Sequence, residues 1–552
     1  MNKVIISKVN IKKLEMLASW MFLLLCYGYA LFFVAHNYYV LINSDTSSEL
    51  ILGKVLAQEG GILSDNWFYS TELRVFNTNI VYKIVYRFFS NNWFLYRIVS
   101  NAILLAGMIA SYIYMTSALK LGAHGIWSAG IIVLPFSPVY GYIVDYGAFY
   151  VPHLIFTFLS IALVIRFSEN SNKKTRLLYI IMLILIGMMN GTGGVRGAMI
   201  CYVPAFIASL ILMFEHIVNE SNNDLKNFVS SKEFLMMMAN ALAVLSFGAG
   251  MLINRMVLGG IYHYRDQGGY KLSRFTAENM GFAFECLTKS VGIYEDISFT
   301  GPLGITSMAA ISLVVLAILG IKRCSAINGG DKSHKFYKMF AISALITNGI
   351  ILGNQYPGWT AYYWCPVVVL FVPFFAILAK ELEGNAIKLI TRYLLVIYIS
   401  LASILLAVAS TKYPLEPRID FLQDATCLLP SRDFILKSGY TQGFATFWQA
   451  NRFAELCNGK IEMWVTNDAN MDKCDDLNYI HPWLQEIDHS QILPEGKFFV
   501  MTYRRILDPE SIYAVPCPLF QSDSNMIYAD DYCTIYGFES MEEYRELVDS
   551  LQ

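Results

Sequence analysis

The chain has 552 residues, of which 55% are hydrophobic, 14% aromatic and only 15% charged. This composition excludes an ordinary soluble chain, and it predicts an integral membrane protein. The formal net charge of -2 hides two regions, because the part from Thr411 onward has 11 Lys and Arg against 23 Asp and Glu, while the part before it is net basic. We expect contact with membrane lipid and no nucleic-acid partner.

Hydropathy predicts a polytopic α-helical membrane protein. A window of about 19 residues finds about eleven apolar segments, each long enough for a hydrocarbon core of about 30 Å. The segments lie at 16–41, 94–118, 124–143, 148–167, 176–193, 197–217, 234–257, 302–321, 336–353, 360–380 and 387–410.

The positions of Lys and Arg predict the orientation. Basic residues precede the first segment and occupy the short connections after the fourth, eighth and tenth segments; they are Lys3, Lys8, Lys12, Lys13, Lys173, Lys174, Arg176, Lys322, Arg323, Lys332, Lys335, Lys338, Lys380, Lys388 and Arg392. With eleven crossings all of these lie on the side of the amino terminus, which the positive-inside rule assigns to the cytoplasm.

Two domains follow from this topology. Residues 1–411 form a transmembrane domain with long outer loops at 42–93 and 258–301, and residues 412–552 form an extracytoplasmic soluble domain. The soluble part is long enough for its own core. Its mixture of short apolar runs and helical pieces predicts a small α/β fold.

The first outer loop has two acids just after the first helix. In "LINSDTSSELILGKVL", residues 41–56, Asp45 and Glu49 are four residues apart. An ionisable group at such a depth is costly unless it has a task or a partner. Ser44, Asp45 or Thr46 are possible caps of a helix that ends at Gly60, with Glu49 completing a Thr46-x-x-Glu49 capping box. A second interfacial helix is expected over residues 71–89, with Arg74 near its start.

Several further residues of the outer face are candidates for a site. Arg196 belongs to the glycine-rich "NGTGGVRG" at 190–197, where free amides and a helix start favour an anion, although a tight turn is the simpler interpretation. The loop "YHYRDQGGYKLSR" contributes His263, Arg265 and Lys271, and a contact of this loop with lipid phosphates is an equal alternative. Asp145 is expected at the turn between the third and fourth helices.

The chain resembles the GT-C-fold glycosyltransferases, which use polyprenyl-phosphate-linked sugars. The resemblance rests on the topology, on an Asp just beyond the first helix, and on three segments: "NSDTSSELILGKVLAQEGGILSDNWFYSTELRVFNTNIVY", "GTGGVRG" and "GFATFWQANRFAELCNGKIEMW". These segments are similar to bacterial serotype-converting O-antigen glucosyltransferases. Some members have paired acids in the first loop, whereas here Thr46 follows Asp45, so only Asp45 matches that pattern.

The resemblance implies a multi-pass protein of the bacterial inner membrane, with a cytoplasmic amino terminus and a periplasmic carboxyl-terminal domain. It implies inverting transfer of glucose or another hexose from undecaprenyl phosphate to a glycan acceptor such as O-antigen in lipopolysaccharide. Asp45 would be the base, and Arg196, Arg74, Arg265 and Lys271 would contact the donor phosphate, with Glu49, Asp145 and His263 as secondary candidates. No metal-ligand spacing is evident, so no cofactor is required, although a divalent cation is compatible with the site.

Three other functions fit the same sequence features, one of them a catalytically silent sensor, for which Asp45 would be dispensable. Prolines at 135, 138, 366 and 373 are compatible with broken helices, which are typical of a lipid-linked sugar flippase or transporter. A glycan polymerase or ligase would use the same acid and arginines. The concentration of polar residues on one face favours transfer over transport.

Overall fold

The protein is described by a computed structural model that covers residues 2–219, 228–264, 276–294, 300–326, 331–354, 361–382, 386–414, 425–466, 482–503 and 524–551. The α-helices of the membrane part are α1 (Asn2–His36), α2 (Tyr38–Leu41), α3 (Ser44–Glu59), α4 (Thr78–Phe89), α5 (Trp93–Ala118), α6 (Ala123–Ile131), α7 (Pro138–Tyr140), α8 (Val151–Glu169), α9 (Lys173–Gly191), α10 (Val203–Asn219), α11 (Lys232–Leu252), α12 (Ala277–Ser290), α13 (Pro302–Ala326), α14 (Lys332–Leu352), α15 (Ala361–Val369), α16 (Pro373–Glu381) and α17 (Ala386–Lys412). Short π-helices occur at Gly141–Tyr146, Ala198–Tyr202 and Ile253–Val257.

The polytopic helical class is confirmed. Among the described residues, ten helical segments are long and apolar enough to cross a membrane: Ile11–His36, Trp93–Ala118, Val151–Glu169, Lys173–Gly191, Ala198–Asn219, Lys232–Gly260, Pro302–Cys324, Lys332–Leu352, Ala361–Glu381 and Ala386–Lys412. The segment expected at 124–143 is instead a broken one, made of α6, a turn, α7 and the π-helix Gly141–Tyr146.

The broken segment nevertheless passes from one end of the helix bundle to the other. Just before α6, Lys120 forms ion pairs with Glu169 at 2.8 Å and Asp331 at 3.2 Å, at the end that holds the expected cytoplasmic connections. After the break, the Ser137 hydroxyl donates to the carbonyl of Ser290 at 2.9 Å, at the opposite end. The number of crossings is therefore eleven across the described helices, and α1 begins at the end of the bundle opposite the soluble domain.

Two broken segments pack side by side in the core. The α6–α7 segment and the α15–α16 segment are each interrupted next to prolines, which remove a helical hydrogen bond and leave carbonyls without their helical partner. Buried tyrosines satisfy two of these carbonyls: Tyr140 donates to Ile132, and Tyr337 donates to Leu370 at 2.8 Å. Irregular backbone is tolerated here because it is enclosed by protein.

A close helix crossing joins α9 to α11 and depends on small residues. An added Cβ at Gly250 would lie 2.2 Å from the carbonyl oxygen of Met188 and 3.0 Å from Cα of Gly191. A Cβ at Gly191 would lie 2.1 Å from the carbonyl oxygen of Phe247. Small residues at this spacing allow backbones to approach closely, which is how helices associate without a hydrophobic driving force in lipid.

The soluble domain is a small α/β unit, as expected. Its described elements are α18 (Leu429–Lys437), β1 (Gln442–Thr446), α19 (Phe447–Leu456), β2 (Glu462–Thr466), β3 (Phe498–Tyr503), β4 (Met526–Ala529), β5 (Cys533–Phe538) and α20 (Met541–Leu551). The strand order is β2-β1-β3-β5-β4; β1 is parallel to β2 and β3, whereas β5 is antiparallel to β3 and β4. Helix α19 connects β1 to β2 and packs against α3 of the first outer loop.

The helix crossing gives a stability prediction with a matched control. Gly250→Ala should destabilise the protein by about 1–3 kcal/mol, because α9 and α11 must separate to admit the methyl group. Gly248→Ala on the same helix has open space around it and should be neutral or stabilising by up to about 1 kcal/mol. Thermal unfolding in detergent measures both, and equal melting temperatures for the two variants would contradict the prediction.

Candidate active site

The first element of the candidate site is helix α3, and its N-cap residue differs from the expected one. Asn43 is the N-cap: its side chain accepts from the Asp45 amide at 2.9 Å, and Thr46 completes a reciprocal box by accepting from the Asn43 amide at 3.3 Å. The expected Thr46-x-x-Glu49 box is therefore wrong. Asn is as effective an N-cap as Ser or Asp, so the helix starts one turn earlier and Glu49 lies beyond capping distance.

Asp45 is in the first turn of α3, where the helix dipole favours a carboxylate. It is partly buried, and its carboxylate accepts no hydrogen bond from the residues that the structure describes. Burial raises the pKa of Asp45 to about 6, with Arg74 acting to lower the pKa and Glu49 acting to raise it. A carboxylate with this pKa and no internal donor is suited to accept a proton near neutral pH.

Glu49 has a structural role in the first outer loop. One of its oxygens accepts from Nη1 of Arg74 at 3.3 Å, and the other accepts from the Thr78 hydroxyl at 2.6 Å. Glu49 thereby orients Arg74 and connects α3 to the first residue of α4. The expected helix 71–89 begins only at Thr78, because Asn77 caps it through the Thr78 amide at 2.7 Å.

Arg74 lies on an irregular segment that a buried asparagine holds in place. The Asn254 amide group donates to the carbonyls of Leu73 at 2.7 Å and Thr192 at 2.6 Å. The guanidinium of Arg74 lies 5.7 Å from the ring centroid of Phe149. Asn254 therefore joins the first outer loop to the glycine-rich turn that precedes Arg196.

Arg196 lines a small pocket at the same end of the membrane domain. Its Nη1 donates to the Tyr150 hydroxyl at 2.8 Å, and its guanidinium lies 4.9 Å from the ring centroid of Tyr363. Asn348 and Leu352 also line the pocket. In the glycine-rich turn, the Val195 amide donates to Glu72 at 3.1 Å, so a carboxylate of the chain itself occupies that donor.

The two arginines act on a common pair of side chains. Both Arg74 and Arg196 interact electrostatically with Tyr150 and with His153, which faces Asn190 at 3.2 Å. Arg74 in turn acts on Asp45. The structure therefore brings Asp45, Glu49, Arg74 and Arg196 into one neighbourhood, although these residues come from three separate segments of the chain.

The remaining sequence candidates are Asp145, His263, Arg265 and Lys271. Asp145 is fully buried in the π-helix Gly141–Tyr146, and neither of its carboxylate oxygens has a hydrogen-bond partner among the described residues. It directly precedes the connection at 147–150 between the broken third segment and α8, so it lies near the expected turn, although it is buried. His263 contributes its backbone carbonyl to the Tyr69 amide at 2.8 Å. Arg265 and Lys271 lie outside the described residues.

Two charged residues beside the site form an ion pair that the sequence does not predict. Arg97 of α5 and Glu455 of α19 form a fully buried ion pair next to the first turn of α3. Arg97 could have been singled out, since an ionisable residue inside an apolar span is a functional candidate by default. Glu455 is 358 positions away along the chain, and no spacing rule connects them.

Among the residues that the structure describes, no group of three or more His, Cys, Asp or Glu side chains could hold a metal ion.

No family model matches the sequence, and no curated protein matches it either. Among solved structures, the chain is similar to the Archaeoglobus fulgidus oligosaccharyltransferase tethered through a disulfide bond to an acceptor peptide containing the NVT sequon. The identity is 12% and the TM-score is 0.45, over 89% of this chain and 69% of that one.

The asparagine connection gives a prediction that requires no substrate. Asn254→Ala should accelerate amide hydrogen exchange in residues 72–76 and 192–196, because it removes two hydrogen bonds of about 0.5–1.5 kcal/mol each. Asn240→Ala on α11, which the π-helix bearing Asn254 continues, is the control, since the Asn240 side chain donates to its own helix at the Met236 carbonyl. Unchanged exchange in both segments would show that Asn254 does not hold them together.

Proposed function

We propose that the protein is a membrane glycosyltransferase of the GT-C type, which moves a sugar from a polyprenyl-phosphate donor to a glycan acceptor. The observation that carries the proposal is Asp45: a carboxylate without an internal hydrogen-bond donor among the described residues, with a pKa of about 6, beside Arg74 at the end of a membrane helix bundle. The family resemblance of the first outer loop supports the same assignment.

The proposed reaction is a single inverting displacement. An acceptor hydroxyl oxygen attacks the anomeric carbon, the bond from that carbon to the phosphate oxygen breaks, and Asp45 takes the hydroxyl proton. The leaving polyprenyl phosphate carries away the electron pair of the broken bond. Positioned cations stabilise its negative charge. Among the residues that the structure describes, the candidates for this role are Arg74 and Arg196. Arg265 and Lys271 are further candidates on sequence grounds.

Arg74 and Arg196 suit this role because their positions are fixed before a ligand binds. Glu49 holds Arg74 at 3.3 Å, and Tyr150 accepts from Arg196 at 2.8 Å. Preorganised donors cost no reorganisation at the moment of reaction. A phosphate near Tyr150 would be within the electrostatic influence of both guanidinium groups.

The finer assignment follows the sequence resemblance. We infer a bacterial inner-membrane enzyme with a periplasmic soluble domain, a donor of the undecaprenyl-phosphate-glucose type, and a surface glycan such as O-antigen as the acceptor. Flipping of a lipid-linked sugar is the main alternative because of the two broken helices. Their satisfied carbonyls at Ile132 and Leu370 favour a structural role for the breaks. A polymerase or ligase would transfer larger units.

Loss of Asp45 should stop transfer. Asp45→Asn should lower the rate by about 10²- to 10⁴-fold, since it removes the proton acceptor while keeping the shape of the side chain. Mass spectrometry of the surface glycan from cells with each form measures this, and a loss of one hexose per repeat identifies the transferred unit. Asp65→Asn, an exposed acid of the same loop, is the control. Normal glycan in the Asp45→Asn cells would refute the proposal.

The pH profile tests the electrostatics of the base. Because only deprotonated Asp45 can accept a proton, the rate should rise with pH through about 6 and then level off. Arg74 lowers this pKa, so Arg74→Gln should move the rise to higher pH; Glu49 raises it, so Glu49→Gln should move the rise to lower pH. Turnover of a labelled polyprenyl-phosphate sugar across a pH series gives each midpoint. Shifts of the same sign in both variants would exclude this assignment.

A further inference from the structure

The soluble domain reaches the candidate active site through one buried carboxylate. Glu455, near the end of α19, accepts from Nε of Arg97 at 2.9 Å and from Nη2 of Arg97 at 2.5 Å, and both side chains are fully buried. This two-point geometry fixes the relative orientation of the guanidinium and the carboxylate. The pair therefore defines how α19 lies against α5.

The same ion pair also holds the first turn of α3. The Ser47 hydroxyl donates to Oε2 of Glu455 at 2.6 Å, and Nη2 of Arg97 donates to the carbonyl of Thr46 at 3.3 Å. The Arg97 guanidinium also lies 4.4 Å from the ring centroid of Tyr146. Thr46 and Ser47 directly follow Asp45 in the chain.

We propose that Glu455 is a positioning residue: through Arg97 and Ser47 it holds the first turn of α3, and with it the Asp45 carboxylate, where the transfer reaction needs it. This rests on the proposed function of Asp45. The soluble domain would then be part of the catalytic unit, because a base that is misplaced by about 1 Å can cost about 10²-fold in rate.

The soluble domain also contacts the membrane domain at other positions, so its attachment does not depend on Glu455 alone. Asn458 accepts from the Trp93 amide at 2.9 Å at the start of α5. Residues 66–68 and 484–487 pair through backbone hydrogen bonds, with Phe68 donating to Gln485 at 2.8 Å and Leu484 donating to Phe68 at 2.8 Å. Of these contacts, the Glu455 contacts are the ones that reach the turn bearing Asp45.

Three variants separate positioning from attachment. Ser47→Ala removes one hydrogen bond to Glu455 and leaves the ion pair in place. Glu455→Gln removes the charge with little change of shape. Asn458→Gly is the matched control, because it removes the contact with Trp93 without touching α3, and glycine readily adopts the φ of 53° at this position. Purified, folded protein in detergent is used for all three.

Turnover of a labelled polyprenyl-phosphate sugar is measured at saturating and limiting donor and across a pH series. Ser47→Ala and Glu455→Gln should lower kcat by about tenfold or more with KM little changed, and should shift the acid limb of the pH profile. Asn458→Gly should leave kcat and the acid limb unchanged. A role in attachment alone would reduce the amount of folded protein without altering either quantity.

Amide exchange of residues 44–49 gives a readout that is independent of the reaction. Ser47→Ala and Glu455→Gln should accelerate exchange in this first turn, whereas Asn458→Gly should not. Wild-type exchange and wild-type kcat in Ser47→Ala, together with the same result in folded Glu455→Gln, would overturn the positioning role. Absence of sugar transfer by the wild-type protein would overturn the proposed function instead, whatever the exchange rates show.

Discussion

The site depends on a buried ion pair between a membrane helix and the soluble domain. Removing Arg97 and Glu455 from water is expensive, and their attraction offsets that cost only when the geometry is good and the remaining groups are hydrogen-bonded. Ser47 and the Thr46 carbonyl supply such bonds, whereas Nη1 of Arg97 has no hydrogen-bond partner among the described residues. Breaking one partner of a buried pair typically costs about 3–5 kcal/mol, because the other charge is left without compensation. The ion pair therefore contributes to the domain interface and contacts the start of α3 at the same time.

Around this ion pair, short backbone contacts assemble the outer face from distant parts of the chain. The first outer loop pairs with the soluble domain at Phe68 and Gln485, with the second outer loop at Tyr69 and His263, and with the glycine-rich turn through Asn254. Each contact satisfies backbone groups that an irregular segment leaves unpaired. The irregular loops are thus held by the regular elements around them, which gives Arg74 a fixed position although it belongs to no helix.

The electrostatics of the site follow from the division of roles between two acids. Glu49 has both oxygens engaged, by Arg74 and Thr78, whereas the Asp45 carboxylate has no hydrogen-bond donor in the described part of the chain. Glu49 orients the Arg74 guanidinium, whereas burial raises the pKa of Asp45. A buried carboxylate and an oriented cation thereby occur within one loop, which is the combination that the proposed acid–base catalysis would use.

The sequence by itself determined the membrane class, the span positions and the separate α/β domain, because apolar runs of bilayer length and a change of charge are local properties. It also singled out Asp45, Arg74 and Arg196 as residues of one face. Only the tertiary structure decided how they are arranged. Asn43 rather than Thr46 caps α3, because several residues near a helix start are competent caps and the surrounding packing selects among them. Asp145 is buried in the π-helix that ends the broken third span, and Arg97 meets Glu455 only because folding joins positions that no sequence spacing relates.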